Sequence, residues 1–222
     1  MHVIGVDAST AGWVAVSLTD GSFSGLRAGT SLTDVLTGSL DAADAVGIDM
    51  PLGLLESGWR TADRQAQRLL GPRRSSVFVI PPRAVWAQQS HSAANLLCRD
   101  LTGQGFSVQA WGLRRKLLEA NEFRATCAGR LYEVHPELAF SALSPGGQPL
   151  SDSKHTPAGR ERRRELLAAA GIQIPATLKP LTDILDAAAA AWSAQRIAAG
   201  SAVTIPDPPQ HDATGREIAI RY

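Results

Sequence analysis

The first fifty residues set short apolar runs between small polar breaks, a pattern of strands rather than helices. His2 to Val6 is an apolar run that ends at Asp7, and Gly12 to Leu18 is a second, valine-rich run after small turn residues. Asp20-Gly21 suits a tight turn with positive backbone angles, which predicts a third strand from Ser22 to Arg27 and an antiparallel meander. Ser31 to Gly38 reads as a short helix capped by Ser31, and Ala45 to Met50 as a buried strand that ends in an acid and a proline. That order predicts a crossover and a mixed α/β sheet covered by helices, with functional groups gathered at strand carboxyl ends. Asp7 and Asp49 both lie at such ends.

Helical spacing follows over Thr61 to Leu70, Ser92 to Leu101 and Trp111 to Thr126, interrupted by the proline-rich VIPPR segment. Residues 59–126 therefore read as a helical insertion after the fourth strand, within a single domain spanning 1–222. Leu131 to His135 predicts another strand, Pro136 to Leu143 a short helix, and Pro157 to Ala170 a longer helix capped near Thr156 and ended by Gly171. Leu181 to Ala199 is the clearest helix, rich in Ala and Leu and followed by Gly200. The tail, with VTIP and EIAIRY around a turn-rich stretch, predicts a closing hairpin or an edge extension.

Composition narrows the function classes. With 44% apolar and 19% charged residues the chain is that of an ordinary folded protein. A net charge of +1 means that any polyanion site must come from local clustering. Cys98 and Cys127 show neither CxxC spacing nor a nearby His, so no zinc site or disulfide framework is expected, and a reducing cytoplasm is. Nothing resembles a signal peptide or a membrane span. Oligomeric state is not readable.

The chemistry-bearing residues are acids. Asp183 and Asp186 lie three apart, which on a helix sets their Cβ atoms roughly 5–6 Å apart on one face. Such a pair can share a metal; acids also favour a helix amino terminus through its dipole, and spacing alone does not choose. Asp7 and Asp49 each end an apolar strand, where a carboxylate needs a counter-ion or a hydrogen-bond partner, or else simply caps the next turn. Together these four acids make a hard-oxygen donor set for Mg²⁺ or Mn²⁺. Two such ions, roughly 4 Å apart, suit phosphodiester cleavage.

Strand alternation puts Glu133 and His135 on one side, where Glu133 could be a further ligand and His135 a proton shuttle. A strand-end histidine bonded to backbone is the plainer alternative. Arg60 to Arg83 holds six arginines against the single acid Asp63, an excess suited to phosphate oxygens. Arg73, Arg74, Ser75, Ser76 and Arg83 are the candidate substrate-binding residues there, while Arg64 and Arg68 at helical spacing suit a solvated face. Lys154 joins them as a candidate from a second basic stretch that continues at Arg160 to Arg164.

In this order, over nearly the whole chain, the segments GVDASTAGWVAV, GIDMPLGL, RRSSVFVIPPR, YEVHPELAF, SKHTPAGRERR and DILDAAAAAW resemble the family called domain of unknown function 429. The resemblance implies a ribonuclease H-like fold and a predicted nuclease activity. Asp7, Asp49 and Asp183 or Asp186 would then be metal ligands and nucleic acid, DNA or RNA, the partner. The DxxDAxAxA pattern of the last helix also resembles Holliday-junction resolvases. Ala8-Ser9-Thr10-Ala11 departs from the Gly-Cys-basic-Gly stretch more usual in relatives, so no role for that loop is carried over. IGVDASTAGWVAV is similar as well to the first phosphate loop of actin-like and sugar-kinase-like ATPases, which leaves a nucleotide-binding ATPase as one alternative. A noncatalytic nucleic-acid-binding domain is another.

Overall fold

Two largely apolar runs and a third, half-exposed one, each of eight residues, open the chain as strands β1 (His2–Ser9), β2 (Gly12–Thr19) and β3 (Ser22–Gly29). The hairpin between β2 and β3 turns at Asp20 and Gly21, whose φ angles of 49° and 82° fit the small residues found there. Helix α1 (Leu32–Leu36) starts in a capping box in which Ser31 Oγ accepts from the Asp34 amide and the Asp34 carboxylate accepts from the Ser31 amide. Strand β4 (Ala45–Ile48) follows, then α2 (Thr61–Leu70), a 3₁₀ turn over Gly71–Ser76, α3 (Arg83–Trp86), α4 (His91–Thr102), α5 (Val108–Gly112) and α6 (Arg114–Thr126). Strand β5 (Leu131–Glu133), α7 (Pro136–Leu143), α8 (Pro157–Ala169), α9 (Leu181–Ala198), β6 (Thr204–His211) and β7 (Glu217–Arg221) complete the chain. This computed structural model describes residues 1–127 and 129–222.

The main sheet is mixed, with order β3-β2-β1-β4-β5; the first three strands are antiparallel, and β4 and β5 run parallel to β1. Two expectations shift. The single helix predicted from Trp111 to Thr126 is two helices, because Ser107 caps an earlier start and Gly112, a poor helix former, lies at the join. The strand predicted to run to His135 ends at Glu133: Val134 makes only an isolated bridge to Arg221, and His135 already caps α7. The tail hairpin forms its own two-stranded sheet, joined to the main one through that bridge. Among the described residues no helix is long and apolar enough to cross a membrane.

Alternation along the strands divides the core in two. Ile4, Val6, Val46, Ile48 and Leu131 face α1 and α6, whereas Val3, Val14, Val16 and Ala45 face α7, α8 and α9. Burial of each of the Val, Ile and Leu side chains stabilises the fold by about 1.5–3 kcal/mol. The α9 face holds Gly5 and Gly47, where only a missing Cβ permits the observed approach. A Cβ on Gly5 would lie 2.0 Å from the Ala191 nitrogen, and one on Gly47 2.6 Å from the Ala190 oxygen. Backbone thus packs on backbone, with the run Ala187–Ala191 as the matching small surface. That contact fixes α9 over the centre of the sheet.

Candidate functional site

Sheet register sets the first two acids side by side. β1 and β4 are parallel with Val6 opposite Ile48, and the Asp49 amide donates to the Val6 carbonyl at 2.9 Å. Asp7, within β1, and Asp49, just past β4, therefore lie side by side on neighbouring chains about 4.8 Å apart, near the same end of the sheet. They continue the alternation of Val3-Gly5 and Ala45-Gly47, so both belong to the α9 face. On α9, Asp186 immediately precedes the alanine run that docks on Gly5, and Asp183 lies one turn nearer the helix start. Asp7, Asp49 and Asp183 line a cavity of about 270 Å³ with Lys154, His135 and His155, and Ser76 to Phe78 form another part of its wall.

Packing these carboxylates together is electrostatically costly. Asp7 is 7% exposed and Asp186 1%. Burial pushes the Asp7 carboxyl well above its ordinary range, and the charges of Asp49 and Asp186 push it further. Asp49 is raised to about 7, chiefly by burial, with Asp186, Glu133 and Glu137 adding to the shift and Lys154 opposing it. Burial also raises Asp183 and Asp186, against the pull of Lys154. Lys154 Nζ donates to Asp186 Oδ2 at 2.6 Å, and although burial works against its charge, Asp186, Asp49 and Asp7 hold its pKa above the usual lysine value. Asp186 Oδ1 is buried without a hydrogen-bond partner. Among the described residues no three His, Cys, Asp or Glu side chains already stand in an arrangement that would hold a metal ion.

The family model described as "Protein of unknown function (DUF429)" matches residues 5–211. The chain belongs to that family. No curated protein and no solved structure matches it.

Several residues singled out in this DUF429 chain lie elsewhere or are engaged otherwise. Glu133 continues the alternation of Leu131 and so belongs to the sheet face opposite Asp7. There it meets Arg60 Nη2 at 2.5 Å and accepts from the Leu52 amide at 2.7 Å, so its lone pairs serve a buried ion pair although it borders the cavity. His135 follows the plainer alternative: its Nε2 bonds the Ser76 carbonyl at 3.3 Å, Nδ1 is buried without a partner, and burial lowers its pKa. Arg73 lies 3.8 Å from Glu137, and the Ser76 hydroxyl donates to the Arg73 carbonyl at 2.9 Å. Ser75 and Arg74 are exposed. Arg83 pairs with Glu56 at 2.9 Å and borders a separate cavity with Arg124 and Arg216, away from the acids. Lys154, expected on the substrate, borders the cavity and is the counter-ion of Asp186.

Three further charged groups take parts that the sequence did not assign to them. Lys116 on α6 donates to the carbonyls of Ser9 and Gly12, tying the β1–β2 turn to α6 near Asp7 and Asp183. Arg60 is fully buried between Glu133 and Asp63, and Asp63, which accepts from the Ile80 amide at 2.9 Å, is raised to about 7 chiefly by burial. Glu137 is buried against Arg163 Nη2 at 2.7 Å. The spacing of Asp63 from Arg60, one helical turn, and the place of Glu137 two residues after His135 were the available hints.

Proposed function

We propose that the cleft is a divalent-cation site for metal-assisted hydrolysis of nucleic-acid phosphodiester bonds, on a ribonuclease H-like fold with residues 59–126 as a helical insertion. One observation carries the proposal: acids from the first strand, the end of the fourth and the last helix converge, with Lys154 as the cation bonded among them and Asp186 Oδ1 left without a partner. A buried, unpartnered carboxylate oxygen beside two more carboxylates is a donor set suited to Mg²⁺ or Mn²⁺. Asp7, Asp49, Asp183 and Asp186 would hold it, after rotations that loosen Asp186 from Lys154. A bound ion supplies Lewis-acid polarisation of a phosphoryl oxygen and a more acidic water.

The chain's own groups add the rest. Lys154, whose side chain is 34% exposed, can turn its remaining N–H bonds to the negative charge that develops on a phosphoryl oxygen. The Lys116 tie to Ser9 and Gly12 holds the turn after Asp7 in place, which fixes the carboxylate's direction without contact with substrate. His135, bonded to the Ser76 carbonyl, keeps the strip Ser76 to Phe78 against the cleft and acts as a positioning residue.

The test is incubation of purified protein with labelled single-stranded, duplex and branched DNA and RNA, with Mg²⁺, Mn²⁺ or EDTA, beside Asp7→Asn. Cleavage that needs the metal and is lost in the variant supports the proposal. ATP turnover without cleavage would favour the phosphate-loop reading of the β1–β2 turn, and nucleic-acid binding without either reaction the noncatalytic one.

A further inference from the structure

The six arginines between Arg60 and Arg83 separate into two groups. Arg60 is buried with Glu133 and Asp63, Arg73 faces Glu137, and Arg83 pairs with Glu56. Arg64, Arg68 and Arg74 share one open groove of about 440 Å³, lined also by Gln67 and Gly71. Among the described residues none of these three is in an ion pair, and no acid lines the groove.

The sequence explains how the groove is built. Ala62, Ala66 and Leu70 bury one face of α2, which leaves Arg64 and Arg68, four apart, together on the exposed one. Gly71 adopts a φ of 49° at the end of α2, and the 3₁₀ turn that follows brings Arg74 back beside them. Gln67 Nε2 donates to the Val77 carbonyl at 2.9 Å and clips this turn to the helix, and the Trp59 ring lies 5.6 Å beneath the Arg64 guanidinium. The same turn ends at Ser76, in the wall of the acidic cleft. Guanidiniums held side by side without carboxylates repel one another, and the ligand that relieves this is a row of phosphates, each able to take two parallel N–H bonds from one arginine.

We infer that Arg64, Arg68 and Arg74 form a track for the phosphate backbone of a nucleic acid and that this track leads to the acidic cleft. The inference rests on the nuclease reading for its direction and on charge for its ligand. With a net charge of only +1 over the whole chain, binding depends on this local cluster and falls steeply with salt.

Fluorescence anisotropy of labelled single-stranded and duplex oligonucleotides in EDTA, where no hydrolysis takes place, tests it. The variant Arg64→Ala/Arg68→Ala/Arg74→Ala is expected to bind at least tenfold more weakly at about 100 mM salt, with a salt slope shallower by about two to three for duplex. The matching triple lysine variant should keep the wild-type slope. A control variant, Arg160→Ala/Arg162→Ala/Arg164→Ala, alters a helix whose Arg162 and Arg164 already pair with Glu165 and Glu161, and should bind as wild type. Wild-type affinity and slope in the first variant, an equal loss in the control, or no binding by the wild-type protein would each overturn the inference. Binding of the predicted kind without metal-dependent cleavage would sink the nuclease reading alone, and cleavage unaffected by the groove variant would sink the track alone.

Discussion

Replacing Lys154 with methionine tests the electrostatic core of the cleft, because it removes the cation while keeping most of the side-chain length. Asp186 would then hold a buried carboxylate with both oxygens unpaired, where Oδ2 now accepts from Lys154 at 2.6 Å. Removing one member of a fully buried pair costs about 3–5 kcal/mol, and an exposed pair contributes less than about 1 kcal/mol. Here the lysine side chain is 34% exposed and the aspartate 2%, which places the cost between those limits. A loss of about 2 kcal/mol follows, or a fall in Tm of about 4–8 °C for a chain of this size.

The same variant has a pH signature. Asp186 already titrates above its ordinary value because of burial, and loss of Lys154 raises it further. A carboxyl whose folded pKa exceeds its unfolded value contributes stability when protonated and loses it as pH rises through the interval between the two. The deficit of Lys154→Met should therefore be small near the unfolded value of about 4 and grow as the pH rises above it. Adding Mn²⁺ at the higher pH should recover part of it, since a cation again faces Asp186. Thermal melts of both proteins across this range, with and without Mn²⁺, give the answer. An unchanged Tm at high pH, or a deficit that does not vary with pH, would refute the reasoning.

Three further outcomes are expected. Arg60→Met strips the cation from buried Glu133 and Asp63 and should cost about 3–5 kcal/mol by urea denaturation, of which Glu133→Gln in the same chain recovers a part. Gly5→Ala drives a Cβ to 2.0 Å from the Ala191 nitrogen and 2.1 Å from the Ala187 oxygen, so the variant should lose more than about 3 kcal/mol or fail to fold, read by circular dichroism. Mn²⁺ has to displace the proton that Asp49 holds up to about 7. Its calorimetric Kd should therefore weaken roughly tenfold from about pH 8 to about pH 6, and a flat profile would exclude Asp49 from the site.

Much of this was legible before the structure because it depends on local pattern. Thr61–Leu70 and Pro136–Leu143 are helices at their predicted bounds, Ser31 caps α1, and the opening meander with its crossover to β4 follows the alternation of apolar runs. The meeting of Asp7 with Asp49 was legible too, since both follow apolar runs that pair in parallel, although β1 continues past Asp7 to Ser9. Partner choice was not. Glu133 and Asp49 are each the acid that closes a short apolar run, yet one belongs to the face of Arg60 and the other to that of α9, and strand parity decides which. Arg83 and Arg74, nine residues apart in one basic segment, diverge because the intervening strip crosses the cleft wall. Lys116 approaches the site from a helix more than a hundred residues from Asp7, and no spacing rule connects them.

The claim that acids from three distant elements form one cation site is tested most directly by crystals soaked in Mn²⁺ at about pH 8, where competition from protons is weakest. The expected result is an anomalous peak in the cleft, coordinated by carboxylate oxygens of Asp7 and Asp49 and adjacent to Asp186. A cleft without a peak, with Lys154 still bonded to Asp186 under those conditions, would contradict it.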